Sequence, residues 1–323
     1  MHARFKRFSS LAKRRKLVGF RGGSLTVLAV FFLTMGGTPK MNAEQGLSDI
    51  VVSAPEKVGS GFQFTEGPVW HRQGFLIFSD IPANRIVKWT ALDKVETFRQ
   101  PSGNSNGLTF DRQGRLIACE HGNRRVSRTE PDGKVVALAE KYEGKKLNSP
   151  NDIVVKSDGS IYFTDPPYGV QPSEKELSFN GVFRISPDGN LTLLAPDFER
   201  PNGLAFSPDE KKLYVADTAR GHVRVFDVQP DGTLKGGEEF VKTPGPDGMK
   251  VDTKGNLYVT STGVAVFDAK GKKLGEISLP ERPANCCFGD ADNRTLFVTA
   301  RTSLYKVRLK VAGIKVGPPA AKK

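Results

Sequence analysis

The sequence predicts an all-β chain folded as a six-bladed propeller with four-stranded blades. Three observations carry that prediction. A strand–turn–strand phrase recurs six times along the chain. Its copies are spaced about one blade apart. Helical periodicity is low, and the 34 glycines among 323 residues suit the many turns that short strands need.

The clearest copy runs from Pro201 to Asp217. Asn202-Gly203 leads into a short apolar strand, Ser207-Pro208-Asp209-Glu210 makes a polar turn, and Lys212-Leu213-Tyr214-Val215 is a second strand rich in β-forming residues. Equivalent phrases begin at Glu66, Asn106, Asn151, Asp247 and Asn285, giving spacings of 40, 45, 51, 45 and 38 residues. Every copy is led by a side chain carrying oxygen. Asn and Asp before glycine also serve turns for backbone reasons alone. Equivalent positions of a propeller, however, encircle its central channel, and a ring of carboxylate and amide oxygens suits a hard cation such as calcium.

Taken in order, residues 1–43 read as a leader. They contain no acid, and a basic segment from Arg4 to Arg21 precedes an apolar run of 12 residues, Ser24 to Met35. That run fits a signal peptide and is short for a membrane span. Arg14-Arg15 resembles a twin-arginine signal. Export to the periplasm or medium is the expectation, with the route open and an uncleaved anchor as the alternative. Without the nine Lys and Arg residues through Lys40, the formal net charge falls from +13 to +4. The basic balance therefore belongs mostly to targeting, and nothing points to nucleic acid or to a stable protein partner.

The propeller is expected over 44–312, with 313–323 as a basic tail. Residues 48–53 read as a strand that should close the ring beside residues 295–309 of blade six. Blades one and two begin near 61 and 104. Blade three carries a long insertion, Asp165 to Gly181, read as either a lid over the channel mouth or a surface loop. Blades four, five and six begin near 201, 246 and 285. Turns at 131–133, 187–189 and 230–232 join third to fourth strands. Cys119, Cys286 and Cys287 show no zinc spacing, vicinal cysteines bridge poorly, and no structural disulfide is expected.

Five of the motifs, Thr65-Glu66-Gly67-Pro68-Val69-Trp70, Ser149-Pro150-Asn151-Asp152, Pro201-Asn202-Gly203-Leu204, Pro246-Asp247-Gly248-Met249 and Asn285-Cys286-Cys287-Phe288-Gly289, fall one per blade and in order. In this the chain resembles the senescence-marker-protein, gluconolactonase and luciferin-regenerating-enzyme-like family over roughly 50–310. Residues 120–126, Glu-His-Gly-Asn-Arg-Arg-Val, are similar to the bacterial gluconolactonase branch. The resemblance implies one divalent metal at the channel centre, with Glu66, Asn202 and Asp247 as ligands and Asn151 beside it, touching metal or substrate. It also implies Asp247 as the general base. Asn106 and Asn285 join the ring by repeat logic as substrate contacts, and His121 is a candidate contact or a structural hydrogen-bonder.

The chemistry of these residue types agrees. Two carboxylates with neutral amide oxygens suit calcium, admit magnesium or manganese, and suit zinc less, for want of His or Cys. No Gly-x-Ser-x-Gly elbow offers a covalent route. The expected function is metal-dependent hydrolysis of a sugar lactone. The alternatives are hydrolysis of another lactone, ester or organophosphate, and a calcium-stabilised binding propeller without activity.

Overall fold

The structure, a computed structural model, describes residues 43–91 and 94–317. The expected leader, apart from Ala43, and residues 318–323 of the tail lie outside the described residues.

Six four-stranded antiparallel sheets form the predicted propeller. Their first strands are Thr65–His71, Ser105–Phe110, Ile153–Val155, Pro201–Phe206, Met249–Val251 and Asn285–Gly289. Each first strand packs on the first strand of the next blade, and the sixth packs on the first, so the ring is closed around a channel. Blades one to five run consecutively outward. Blade six takes its outer strand, Glu56–Ser60, from the N-terminal side, paired with Ser303–Arg308 in the register Glu56↔Lys306 to Ser60↔Ser303.

The closing strand therefore lies later than the sequence suggests. Residues 48–53 do not form a strand: Ala43–Ser48 is a short helix, and Val51 makes only a single bridge to Leu309. The β-branched run misleads because the N–H groups of Ile50 and Val51 are taken by the carbonyl of Leu47 at the helix end. Pro55, with no N–H, separates this segment from the ladder that follows.

Six apolar clusters hold the ring, one at each junction between blades. Val69, Ile77 and Ile86 of blade one meet Leu108 and Phe110 of blade two. Phe163 and Phe183 of blade three pack with Ile117 and Val126 of blade two. Junctions three–four, four–five and five–six repeat the arrangement. Phe297 and Leu304 of blade six meet Leu76 and Phe78 of blade one. Each fully buried aliphatic or aromatic side chain contributes about 1.5–3 kcal/mol, so stability is distributed around the ring.

The turns read from Pro-Asp-Gly are present. Gly133, Gly189 and Gly232 all adopt positive φ and donate to the carbonyl three residues back. The insertion of blade three contains a single 3-10 turn, Pro172–Glu174, and buries Val170 and Leu177. A small hairpin, Lys141–Tyr142 with Lys145–Lys146, stands between blades two and three. After the last strand, the chain crosses the lower end of the channel. Gly313 bridges Asp252, and the carbonyl of Gly317 accepts from Arg112 at 2.9 Å.

Candidate metal and active site

The ring of leading residues exists because the first strands start irregularly. In blades one, two and four the ladder to the second strand shifts just after the leading residue, between Glu66 and Val69, Ser105 and Leu108, and Pro201 and Leu204. In blades three and five the regular ladder begins only at Ile153 and Met249. A bulge frees one residue from pairing and re-aims its side chain. Asn106, Asn151, Asn202 and Asp247 fall in these unpaired stretches, whereas Glu66 still pairs with Ser79 and Asn285 with Thr299 in the regular ladder of blade six.

Glycine after the leading residue lets the blades approach. A Cβ on Gly203 would lie 2.2 Å from the Asp247 carbonyl oxygen, and one on Gly248 would lie 2.1 Å from the Asn285 carboxamide. Gly107 and Gly67 are equally confined by their neighbours. Blades three and six depart from this rule, with Asp152 and Cys286 in the glycine position. These blades face each other across the channel, and Asn285 Nδ2 of one donates to Asp152 Oδ2 of the other at 3.4 Å.

Glu66, Asn106, Asn151, Asp152, Asn202 and Asn285 are all at most 4% exposed. Asp247 is half-buried, and its desolvation among the ring side chains pushes its carboxyl up to about 7, with the negative charge of Asp152 adding to the effect and a hydrogen bond from Asn202 opposing it. Glu66 is pushed well above the usual carboxylate range, first by burial and then by the charge of Asp247. Asn285 Nδ2 donates to Asp152 Oδ2, and its amide also eases the upward shift of the Glu66 carboxyl. Asn202 Nδ2 donates to Thr218 Oγ1 at 3.0 Å, and Thr218 in turn donates to the carbonyl of Pro246, the residue before Asp247.

Asn106 Nδ2 lies 3.4 Å from His121 Nε2, while its Oδ1 is buried without a partner. Burial pushes the His121 imidazole down to about 4. It is neutral at neutral pH and can accept from the amide. Asn151 makes no side-chain hydrogen bond among the described residues; its backbone carbonyl accepts from Gly107.

The arrangement therefore brings Glu66, Asn202, Asp247 and Asn285 into direct interaction, with Asn106 and His121 paired on one side. Two residues were not singled out by sequence reasoning. Asp152 stands among the carboxylates, and the only signal was an Asn-Asp pair where four other blades have glycine. Tyr168, on the blade-three insertion, places its hydroxyl 3.5 Å from Asn202 Nδ2, and the field of Asp247 reaches it. Gly169 beside it packs on His121, where a Cβ would meet the His121 Cβ at 2.7 Å. The insertion thus reaches over the ring.

Second strands support the first. Ser79 Oγ donates to the Asn106 carbonyl, Thr164 Oγ1 to that of Asn202, and Thr260 Oγ1 to that of Ala284, each reaching from one blade to the next at 2.7–2.8 Å. The acids that follow in blades one, three and four, Asp80, Asp165 and Asp217, accept backbone N–H groups from the loops entering the first strands.

These residues fit a divalent cation. Among the described residues neither buried Glu66 nor half-buried Asp247 has a cationic side chain in a salt bridge, and a desolvated unpaired charge is costly. Among the described residues no cluster of three or more His, Cys, Asp or Glu forms a metal cage. A cation here would be held by two carboxylates with amide oxygens, a set matched to hard ions.

Comparison with known proteins agrees with this architecture. A gluconolactonase of Zymomonas mobilis is 39% identical over 297 residues, spanning 81% of this chain and 83% of that protein. The solved structure of a gluconolactonase from Xanthomonas campestris is similar with a TM-score of 0.77 and 38% identity, over 82% of this chain and 93% of that one. A calcium-binding regucalcin from Agrobacterium tumefaciens shares the fold at a TM-score of 0.70 and 17% identity, over 84% of this chain and 96% of that one. The family model for the SMP-30/Gluconolactonase/LRE-like region matches residues 64–302, from the first strand of blade one to the last turn of blade six, and the chain belongs to that family.

Proposed function

We propose that this protein is a lactone hydrolase, and that it opens a sugar lactone of the gluconolactone type to its aldonic acid with one divalent cation, calcium first and magnesium, manganese or zinc as alternatives. The observation that carries the reading is the pair of mutually repelling carboxylates Glu66 and Asp247, each held by an amide of the ring at the mouth of a closed propeller. The similarity to gluconolactonases supports the substrate class.

Glu66, Asn202 and Asp247 would hold the cation, with Asn151 beside them. When bound, it supplies polarisation of the lactone carbonyl and stabilisation of the developing oxyanion. Asp247 Oδ takes the proton of the attacking water, whose oxygen bonds to the carbonyl carbon. The ring C–O bond then breaks, and the proton passes to the departing ring oxygen. Asn151, whose amide makes no internal hydrogen bond, is free to bind a sugar hydroxyl. Asn106 and neutral His121 line the same side and orient the ring. Asn285 fixes Asp152 from across the ring. Tyr168 on the blade-three insertion covers the bound lactone and limits water.

The test is proton release from glucono-δ-lactone near neutral pH, corrected for spontaneous hydrolysis, with metal-stripped protein and after each cation is restored. Metal-restored turnover supports the reading and ranks the cations. Absence of turnover in folded, metal-loaded protein would reject it in favour of another ester substrate or a binding role. We also infer export from the acid-free basic and apolar composition of residues 1–43. Recovery of the full-length mass solely in the cytoplasmic fraction would contradict that.

A further inference from the structure

Three arginines stand around the upper mouth of the channel: Arg200, Arg282 and Arg301. All are exposed. Each is anchored next to a ring residue. Arg200 directly precedes Pro201-Asn202, and its guanidinium lies over the Tyr168 ring, 5.7 Å from the centroid. Arg282 Nη2 donates to the carbonyl of Gly245, two residues before Asp247, at 3.3 Å. The Arg301 carbonyl accepts from both N and Oγ1 of Thr65, the residue before Glu66.

None of the three forms a salt bridge among the described residues, although acids are adjacent in sequence. Glu281 is occupied by Lys57, Thr302, Ser303 and Tyr305. Glu199 faces Arg220. Arg301 instead lies over the Phe64 ring at 5.5 Å. The charges of Arg282 and Arg301 reach the Asp247 carboxylate. Most other arginines of the described surface are paired with acids, as Arg85, Arg99, Arg115, Arg125, Arg128 and Arg308 are. Three unpaired guanidinium groups at one rim make a concave positive field, the geometry that attracts and orients anions.

Resting on the lactonase reading, we propose that the upper mouth selects lactones bearing a second, anionic substituent, a carboxylate or a phosphate, received by Arg282 and Arg301 with Arg200 while the lactone carbonyl faces Glu66, Asn202 and Asp247. A neutral lactone uses the ring residues alone.

The experiment compares kcat/KM for two matched pairs on the metal-loaded protein. Glucaro-1,4-lactone, with its free carboxylate, is set against glucono-1,4-lactone, and 6-phosphoglucono-δ-lactone against glucono-δ-lactone. Each is measured at low and at high ionic strength, where charge steering is respectively strong and screened. At low salt, at least one anionic lactone should exceed its neutral partner by about tenfold, and the excess should shrink at high salt. In the R282Q/R301Q double variant the excess should vanish, while kcat/KM for the neutral lactones stays within about threefold of the parent. Which pair shows the excess assigns carboxylate or phosphate. An excess that the double variant keeps, or no excess in either pair while neutral lactones are turned over, overturns this inference and leaves the lactonase reading standing. No turnover of any of the four removes both.

Discussion

At its upper end the channel is lined by Glu66, Asn106, Asn151, Asn202, Asp247 and Asn285. Two to four residues further along the same strands it is lined by Val69, Leu108, Ile153, Ala205, Val251 and Phe288, around a cavity of about 130 Å³. The upper end meets solvent and the blade-three insertion; the lower end is floored by residues 314–317. The contrast has a local cause. Above, bulges and late-starting ladders release the polar side chains of blades two to five from the pleat, and those of blades one and six stand at the strand ends. Below, the pleat is regular and its inward positions are apolar, as a covered surface requires. One strand in each blade thus serves reactivity at one end and packing at the other.

Substitutions at the two ends should separate these roles. The largest effect is expected for Asp247→Ala, which should lower lactone turnover at least about a thousandfold while circular dichroism still reports a folded β protein. Its lower-end counterpart, Leu108→Ala, should reduce stability by about 2–5 kcal/mol in denaturant unfolding and leave kcat nearly unchanged. Equal loss of activity from both would erase the distinction. Gly248→Ala sits between the two. Its Cβ would strike the Asn285 carboxamide, and a cost of about 1–3 kcal/mol is expected, together with weaker cation binding by calorimetry.

The pH dependence sharpens the upper end further. Without a cation, folded Asp247 keeps its proton up to about pH 7, whereas the unfolded group releases it near 3.8. Within that window the folded state binds more protons, so stability falls as pH rises and does not recover above it. Glu66 acts in the same direction. A bound cation removes the repulsion and competes with those protons. Calcium should therefore raise the melting temperature more at mildly alkaline than at mildly acidic pH, and a larger rise on the acidic side would contradict the site. The smallest effect is expected for Tyr168→Phe. Losing a hydroxyl 3.5 Å from Asn202 should raise KM by about two- to fivefold, with kcat little changed in steady-state assays.

The ring was legible because six leading residues recur at blade spacing and each heads a short apolar strand. The blade-three motif was read through Asn151, and its neighbour passed unremarked. That Asp152 would bond Asn285 across the ring depends on blades three and six standing opposite, a property of closure that neighbouring residues do not encode. Tyr168 was hidden for a related reason: its reach depends on how a packed insertion folds back over Gly169 and His121. The misread segment, 48–53, shows the reverse. Its β-branched residues favour a strand, yet Ile50 serves the core between blades five and six from the end of a helix. Local preference lost to a tertiary contact.

The way blade six is assembled has a mechanical consequence. Glu56 pairs with Lys306 and Ser60 with Ser303, so the chain enters and leaves the ladder at the same end. Tension applied to the two ends of the chain would not shear this ladder, with all its bonds loaded together. It would unzip it, one pair after another, beginning with the contacts of Ile50 and Val52 to Lys310 and Arg308. The ring, closed around the channel, thus has a seam in blade six that pulling on the chain ends would load as a zipper rather than in shear.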